Sequence, residues 1–202
     1  MGSLAEAGVS KTMSTIRFKT KNCGGIGGLE KKRRDLFDNL RHNNDVIVLT
    51  ETKFKSSKED TYRQEWNSGM YNSCTSEDRA QAGVSILFGR NLDITISEKD
   101  FGSDTEGRMV WVKGELRSKI ILFVGIYAPS EGDNSLFFEE TVFPVLINKN
   151  YDHVVICGDW NLGLDVDLDY EGYAPNRVIL IQKFLFLQLL HGFKLFHFVH
   201  RF

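Results

Sequence analysis

The sequence predicts a single α/β domain, and three features carry that prediction. Short apolar runs rich in β-branched residues recur along the chain, and segments with helical periodicity fall between them. The third feature is size: 202 residues, 42% of them hydrophobic, suffice for one sizeable core. With 18 Gly and 3 Pro and no internal repeat, the composition excludes a wholly disordered or fibrous chain.

Taken in order, strands are predicted at Thr15–Thr20, Asp45–Thr50, Val84–Phe88, Met109–Val112, Lys119–Tyr127 and His153–Cys157. A first helix is expected over Leu29–Leu40, where Leu29, Leu36, Phe37 and Leu40 form one apolar stripe with charge opposite. A second is expected over Asn134–Asn148 through Phe137, Phe138, Val142, Val145 and Leu146, with Pro144 as a kink or end. A third falls at Asn176–Leu190. Residues 1–13 read as a flexible N-terminal segment and 14–202 as the folded domain. Trp66 and Trp111 are expected in the core.

Charge and targeting narrow the function classes. A net charge of −2 does not by itself mark a nucleic-acid binder, so any such partner has to be argued from a site. The Lys31-Lys32-Arg33-Arg34 run, with Asp35 and Asp38 beside it, reads as a solvated helix face, with phosphate contact as the alternative. Three cysteines, widely spaced and without a CxxC pair, argue against a disulfide framework or a zinc site and for a reducing compartment. The N-terminus has no apolar h-region, so an intracellular protein, nuclear or cytoplasmic, is expected. The C-terminal stretch Val178–Phe198 is interrupted by Lys183, Gln188 and Lys194 and reads as a core helix, not a membrane span. Neither a membrane nor an obligate protein partner is expected.

The polar residues with chemical potential stand at the ends of the predicted strands. Asn22 follows the first, Glu51 follows Val46–Thr50, Tyr127 closes Ile120–Ile126, and Asp159 and Asn161 follow Val154–Gly158. Buried strands hold such side chains rigidly. If the backbone stays extended through Asp159-Trp160-Asn161, the carboxylate and the amide point to one side, with Trp160 opposite and packed beneath. Such a pair suits a water and a phosphate oxygen held together. Glu51 and Asn22 offer hard oxygens of the kind that hold Mg²⁺, and a phenol can donate to developing negative charge. Each residue also has a plainer reading: Gly-Asp-x-Asn as turn chemistry, Glu51 as a surface carboxylate, Tyr127 as a cap on the core.

Together and in order, six stretches resemble the endonuclease/exonuclease/phosphatase superfamily, and within it the endonuclease domain of non-LTR (LINE-type) retrotransposons. They are Asn22-Cys23-Gly24-Gly25-Ile26, Leu49-Thr50-Glu51-Thr52-Lys53, Ala82-Gly83-Val84-Ser85-Ile86-Leu87-Phe88, Glu106-Gly107-Arg108, Ile126-Tyr127-Ala128-Pro129 and Gly158-Asp159-Trp160-Asn161. The resemblance implies a four-layer α/β sandwich, two packed mixed β-sheets flanked by helices. It also implies hydrolysis of a DNA phosphodiester that depends on Mg²⁺, or on Mn²⁺ in its place.

Carried over by position, Glu51 is the metal ligand with Asn22 supporting it. Asp159 positions or activates the attacking water, Asn161 contacts the phosphate, and Tyr127 stabilises the transition state. Ser130, where the family often carries Asn, and Arg79 are the substrate-binding candidates. The family usually has a second polar residue where Gly24 stands. It also continues past this point to a Trp-bearing strand, a second, Asp-containing strand and a final Ser-Asp-His, a context that His191, His197 and His200 do not reproduce. The expected domain is therefore truncated at its C-terminus. The alternative function is an inactive remnant that at most binds nucleic acid. Abasic-site repair nucleases and small-phosphoester hydrolases are further relatives that the fold alone does not separate.

Overall fold

A computed structural model describes residues 15–75, 81–130 and 135–161, together with the backbone of Leu195–Phe196. Its strands are β1 (Phe18–Asn22), β2 (Val46–Thr50), β3 (Met70–Ser73), β4 (Val84–Phe88), β5 (Phe101–Ser103), β6 (Met109–Leu116), β7 (Lys119–Tyr127), β8 (His153–Asp159) and β9 (Leu195–Phe196). Helices α1 (Glu30–Arg41) and α2 (Glu59–Trp66) belong to the first half. A run made of α3 (Ser135–Phe137), a π-helical turn (Phe138–Val142) and α4 (Phe143–Asn148) belongs to the second.

The strands form two mixed sheets, a four-stranded one in the order β1-β2-β4-β3 and a five-stranded one in the order β5-β6-β7-β8-β9. The β1/β2 and β7/β8 pairs are parallel, and β2/β4 and β6/β7 are antiparallel. Successive side chains of a strand point to opposite faces, and this sorts the core into layers. Val48 and Ile86 of one sheet meet Phe123 and Cys157 of the other. Ile47, Leu49 and Leu87 on the outer face of the first sheet pack on Phe37 and Leu40 of α1 and Tyr62 and Trp66 of α2. Leu122, Val124 and Ile156 on the outer face of the second pack on Phe138, Val142, Phe143 and Leu146. The result is helix, sheet, sheet, helix: the four-layer α/β sandwich that the resemblance implied. Between the sheets, a Cβ on Gly125 would stand 3.2 Å from Val48, Val84 and Ile86 at once, so a larger residue there would require these neighbours to give way.

Strands β4 and β7 have the predicted bounds, and the rest differ for physical reasons. β1 begins three residues later than predicted and runs through Asn22, because its pairing with β2 extends to Asn22 opposite Thr50. Leu29 lies ahead of α1 and is 54% exposed, and its place in the stripe is taken by Arg33, which is 4% exposed. The helix at Pro144 opens into a π turn immediately upstream, where the proline ring would otherwise clash with the preceding turn. Trp66 is buried and Trp111 is partly buried, with the Lys149 ammonium 3.9 Å from the Trp111 ring centroid. The predicted 1–13 segment, Arg79, the Asn176–Leu190 helix, the Val178–Phe198 stretch and His191, His197 and His200 lie outside the residues described. Among the described residues no helix is long and apolar enough to cross a membrane.

Candidate active site

The carboxyl ends of β1, β2, β7 and β8 point the same way and bring four of the predicted residues into one hydrogen-bonded group. Asn22 Nδ2 donates to Glu51 Oε1 at 3.0 Å and, across the two sheets, to Asp159 Oδ2 at 3.4 Å. The Tyr127 hydroxyl donates to Glu51 Oε1 at 2.9 Å. The amide orientation of Asn22 is fixed from its other side, because Oδ1 accepts from the Gly24 N–H at 3.0 Å. Its nitrogen therefore faces the carboxylates, and Asn22 works here as a donor that holds them.

Asp159 is held at both oxygens, since Oδ1 accepts from the Asn161 N–H at 3.2 Å. Asn161 is left-handed (φ 44°), so the backbone does not stay extended beyond the end of β8 at Asp159. Asn161 Nδ2 donates to the Ala128 carbonyl at 2.6 Å, which joins the end of β8 to the turn after β7. Trp160 points to the outer face, 6% exposed and stacked on Phe138 at 5.8 Å. Ser130, two residues after Ala128 in the chain, is exposed.

The loops that carry these residues are tightly tied. The Gly25 N–H donates to Glu51 O, and the Ile26 and Gly27 N–H groups to Thr52 O. A Cβ on Gly27 would stand 1.9 Å from Lys53 O, which leaves no alternative to glycine there. Glu51 and Lys53 have left-handed φ of 50° and 52°. For side-chain-bearing residues that conformation costs roughly 1 kcal/mol each, sustained by the surrounding bonds.

Lys31, Lys32 and Arg34 of the basic run are exposed, as a solvated helix face requires, and Arg33 alone is buried. Lys32 Nζ donates to Cys23 O and Gly25 O, and Arg33 Nη1 to Ile26 O and Gly27 O. Arg33 also makes a two-pronged ion pair with Glu65, at 2.6 and 2.8 Å, and lies over the Tyr62 ring. These two residues clamp the loop behind Asn22. Burial, then the hydrogen bond to Glu51 and its charge, push the Tyr127 phenol up to about 12, so it is a protonated donor at neutral pH.

Arg108 is the residue to which the sequence reading gave no role. Its guanidinium lies 4.8 Å from the Tyr127 ring centroid. The signal was available in the hairpin. Arg117 and Ser118, both at positive φ, form the turn between Leu116 and Lys119, and counting back in register pairs Met109 with Ile126. That places Arg108 beside Tyr127.

Two carboxylates converging on one amide nitrogen bring like charges together, an arrangement that a divalent cation relieves. Hard carboxylate oxygens at rigid strand ends are the donor type that divalent cations take, although among the described residues no group of three or more His, Cys, Asp and Glu gathers to hold one. A two-sheet α/β sandwich with an acidic centre at its strand ends defines the class of protein.

Within that class, the chain belongs to the Endonuclease/Exonuclease/phosphatase family, whose family model matches residues 20–175. Among solved structures the chain is similar to the endonuclease domain of TRAS1, a telomere-specific non-LTR retrotransposon, with 14% identity and a TM-score of 0.58 over 85% of this chain and 72% of that one. It is similar also to the AP endonuclease LMAP from Leishmania major, with 18% identity and a TM-score of 0.60 over 90% and 71%. A third similar structure is D. rerio TDP2 complexed with a single-strand DNA product, with 13% identity and a TM-score of 0.52 over 73% and 61%. No curated protein matches the sequence.

Proposed function

We propose that the chain is a Mg²⁺-dependent phosphodiester hydrolase, a DNA endonuclease of retrotransposon type that nicks DNA. The observation that carries this reading is the meeting of Glu51 and Asp159, from opposite sheets, on the Asn22 amide nitrogen at 3.0 and 3.4 Å. Glu51 and Asp159 would hold the metal, which supplies neutralisation of charge on the phosphate oxygens when bound. Asn22 orients both carboxylates.

Asp159, fixed at both oxygens, accepts the proton of the attacking water. With substrate bound, the Tyr127 hydroxyl would turn its single O–H from Glu51 to a phosphate oxygen as charge builds there. Asn161 has a second N–H beyond the one on Ala128 O, and it serves as the phosphate contact. Ser130, which is exposed, and Arg79 would contact the flanking substrate.

The test is relaxation of supercoiled plasmid by the full chain with Mg²⁺ and with EDTA, for the wild type and for Glu51→Ala and Asp159→Ala. Nicking that needs Mg²⁺ and falls by two orders of magnitude or more in either variant, as removal of a site group commonly does, is expected. Absence of nicking by a folded chain that still binds DNA in a salt-sensitive way would instead indicate an inactive nucleic-acid binder.

A further inference from the structure

The Glu106-Gly107-Arg108 stretch is among the motifs of the sequence but has no part in the chemistry above. We propose that Arg108 is the positioning residue for Tyr127, holding the phenol ring so that its hydroxyl stays aimed at the Glu51–Asp159 centre.

The guanidinium carbon stands 4.8 Å from the ring centroid, which places a cation on the ring face. From there Nη1 donates to Tyr127 O at 3.4 Å and to Ala128 O at 3.5 Å. The backbone between them is paired as well, with the Tyr127 N–H donating to Arg108 O at 2.8 Å. The ring is thus restrained on its face by a charge and at its tip by the 2.9 Å hydrogen bond to Glu51. Ala128 O also accepts from Asn161 Nδ2, so the carbonyl that Arg108 reaches is the one that steadies Asn161.

Arg108 can act as a fixed point because its own loop is fixed. Its N–H donates to both oxygens of Asp104, at 2.9 and 3.2 Å, and Asp104 Oδ1 further accepts from the Ser73 hydroxyl at 2.5 Å. The preceding Gly107 carbonyl accepts from the Gly83 N–H at 3.0 Å, and Gly83 O in turn accepts from the Thr52 N–H beside Glu51. A Cβ on Gly107 would stand 2.9 Å from Gly83 N, so this junction has no slack. One chain of short contacts therefore runs from the residue after Glu51 to Arg108, and Arg108 returns it to the partner of Glu51.

The catalytic consequence rests on the hydrolase reading, and the positional one does not, so the experiment has two arms. In the first, 3-fluorotyrosine replaces Tyr127 in the full chain and its ¹⁹F resonance is compared between wild type, Arg108→Met and Arg108→Lys. Arg108→Met is expected to shift and broaden the signal, and Arg108→Lys, which can keep an ammonium over the ring, to retain most of the wild-type position. An unchanged resonance in Arg108→Met overturns the proposal. If that variant does not fold, Arg108→Gln gives the same comparison, since it keeps an N–H donor for the two carbonyls and loses the cation.

In the second arm, nicking is measured for Arg108→Met, Tyr127→Phe and the double variant. Arg108→Met alone should lower kcat about tenfold with KM unchanged, and should cost nothing further once Tyr127 is Phe. Full additivity in the double variant overturns the proposal, because it means that Arg108 acts independently of the phenol. If the wild type fails to nick DNA, the hydrolase reading falls, and the ¹⁹F comparison still decides the role of Arg108.

Discussion

Replacing Glu65 by Gln tests the clamp behind the Asn22 loop. The Arg33 and Glu65 side chains are 5% and 10% exposed, and Nε and Nη2 of Arg33 are spent on the two carboxylate oxygens at 2.6 and 2.8 Å. Removing the negative partner leaves a buried guanidinium with two loop carbonyls and the Tyr62 ring, but no counter-charge of equal reach. Breaking a buried pair from one side costs about 3–5 kcal/mol, and because Gln keeps one acceptor we expect about 3 kcal/mol. At 2–4 °C per kcal/mol for a chain of this size, the melting temperature should fall by about 6–12 °C.

Calorimetry or circular dichroism at pH 7 reads this directly. Arg33→Met/Glu65→Leu should recover part of the loss, since the double variant leaves no orphan charge. The hydrogen bond from Arg33, its charge and Arg34 hold the Glu65 carboxyl below its ordinary 4.5 despite burial. A depressed carboxyl stabilises the fold above the unfolded value and loses that contribution as pH falls through the folded one. The gap between wild type and Glu65→Gln should therefore be full above about pH 4.5 and close below it. A loss under about 1 kcal/mol at pH 7, the range of exposed pairs, would refute the reasoning.

Three further outcomes follow from the same geometry. Gly27→Ala should abolish folding or cost several kcal/mol, because its Cβ would lie 1.9 Å from Lys53 O. Gly24→Asn should be nearly neutral in a thermal melt, since Gly24 has φ 56°, a region Asn tolerates, and nothing lies within 4 Å of a Cβ there. Asn22→Asp puts a third acceptor against Glu51 and Asp159, so its melting temperature should fall in EDTA and rise with Mg²⁺ by more than the wild type's does. Equal Mg²⁺ responses would count against a metal at this place.

The parts of the fold that were legible in the sequence are those whose signal is local. β4 and β7 are continuous apolar runs, buried over most of their length, and their bounds could be read from composition alone. β3 could not be read that way, since Met70-Tyr71-Asn72-Ser73 carries two polar residues and owes its place to pairing with β4. α2 has only Tyr62 and Trp66 on its buried side, too few for a period to register over eight residues. Arg33 reads from sequence as part of a solvated face because its partner, Glu65, lies on another element and leaves no local trace.

The members of the candidate site could be picked out residue by residue, because each is a polar side chain standing where a predicted strand ends. What the sequence did not disclose was their connection: that Asn22 offers nitrogen and not oxygen, and that Arg108 covers Tyr127. Both depend on contacts made across strands, and the second across a hairpin register that only counting from Arg117-Ser118 recovers.

The pairing of Glu51 with Asp159 is tested most directly by titrating the full chain with Mn²⁺ and following the free ion by electron paramagnetic resonance. The account predicts a saturable site, competed by Mg²⁺ and lost in both Glu51→Gln and Asp159→Asn while the fold survives. Mn²⁺ binding that persists undiminished in both variants, or no saturable binding by the folded wild type, would contradict it.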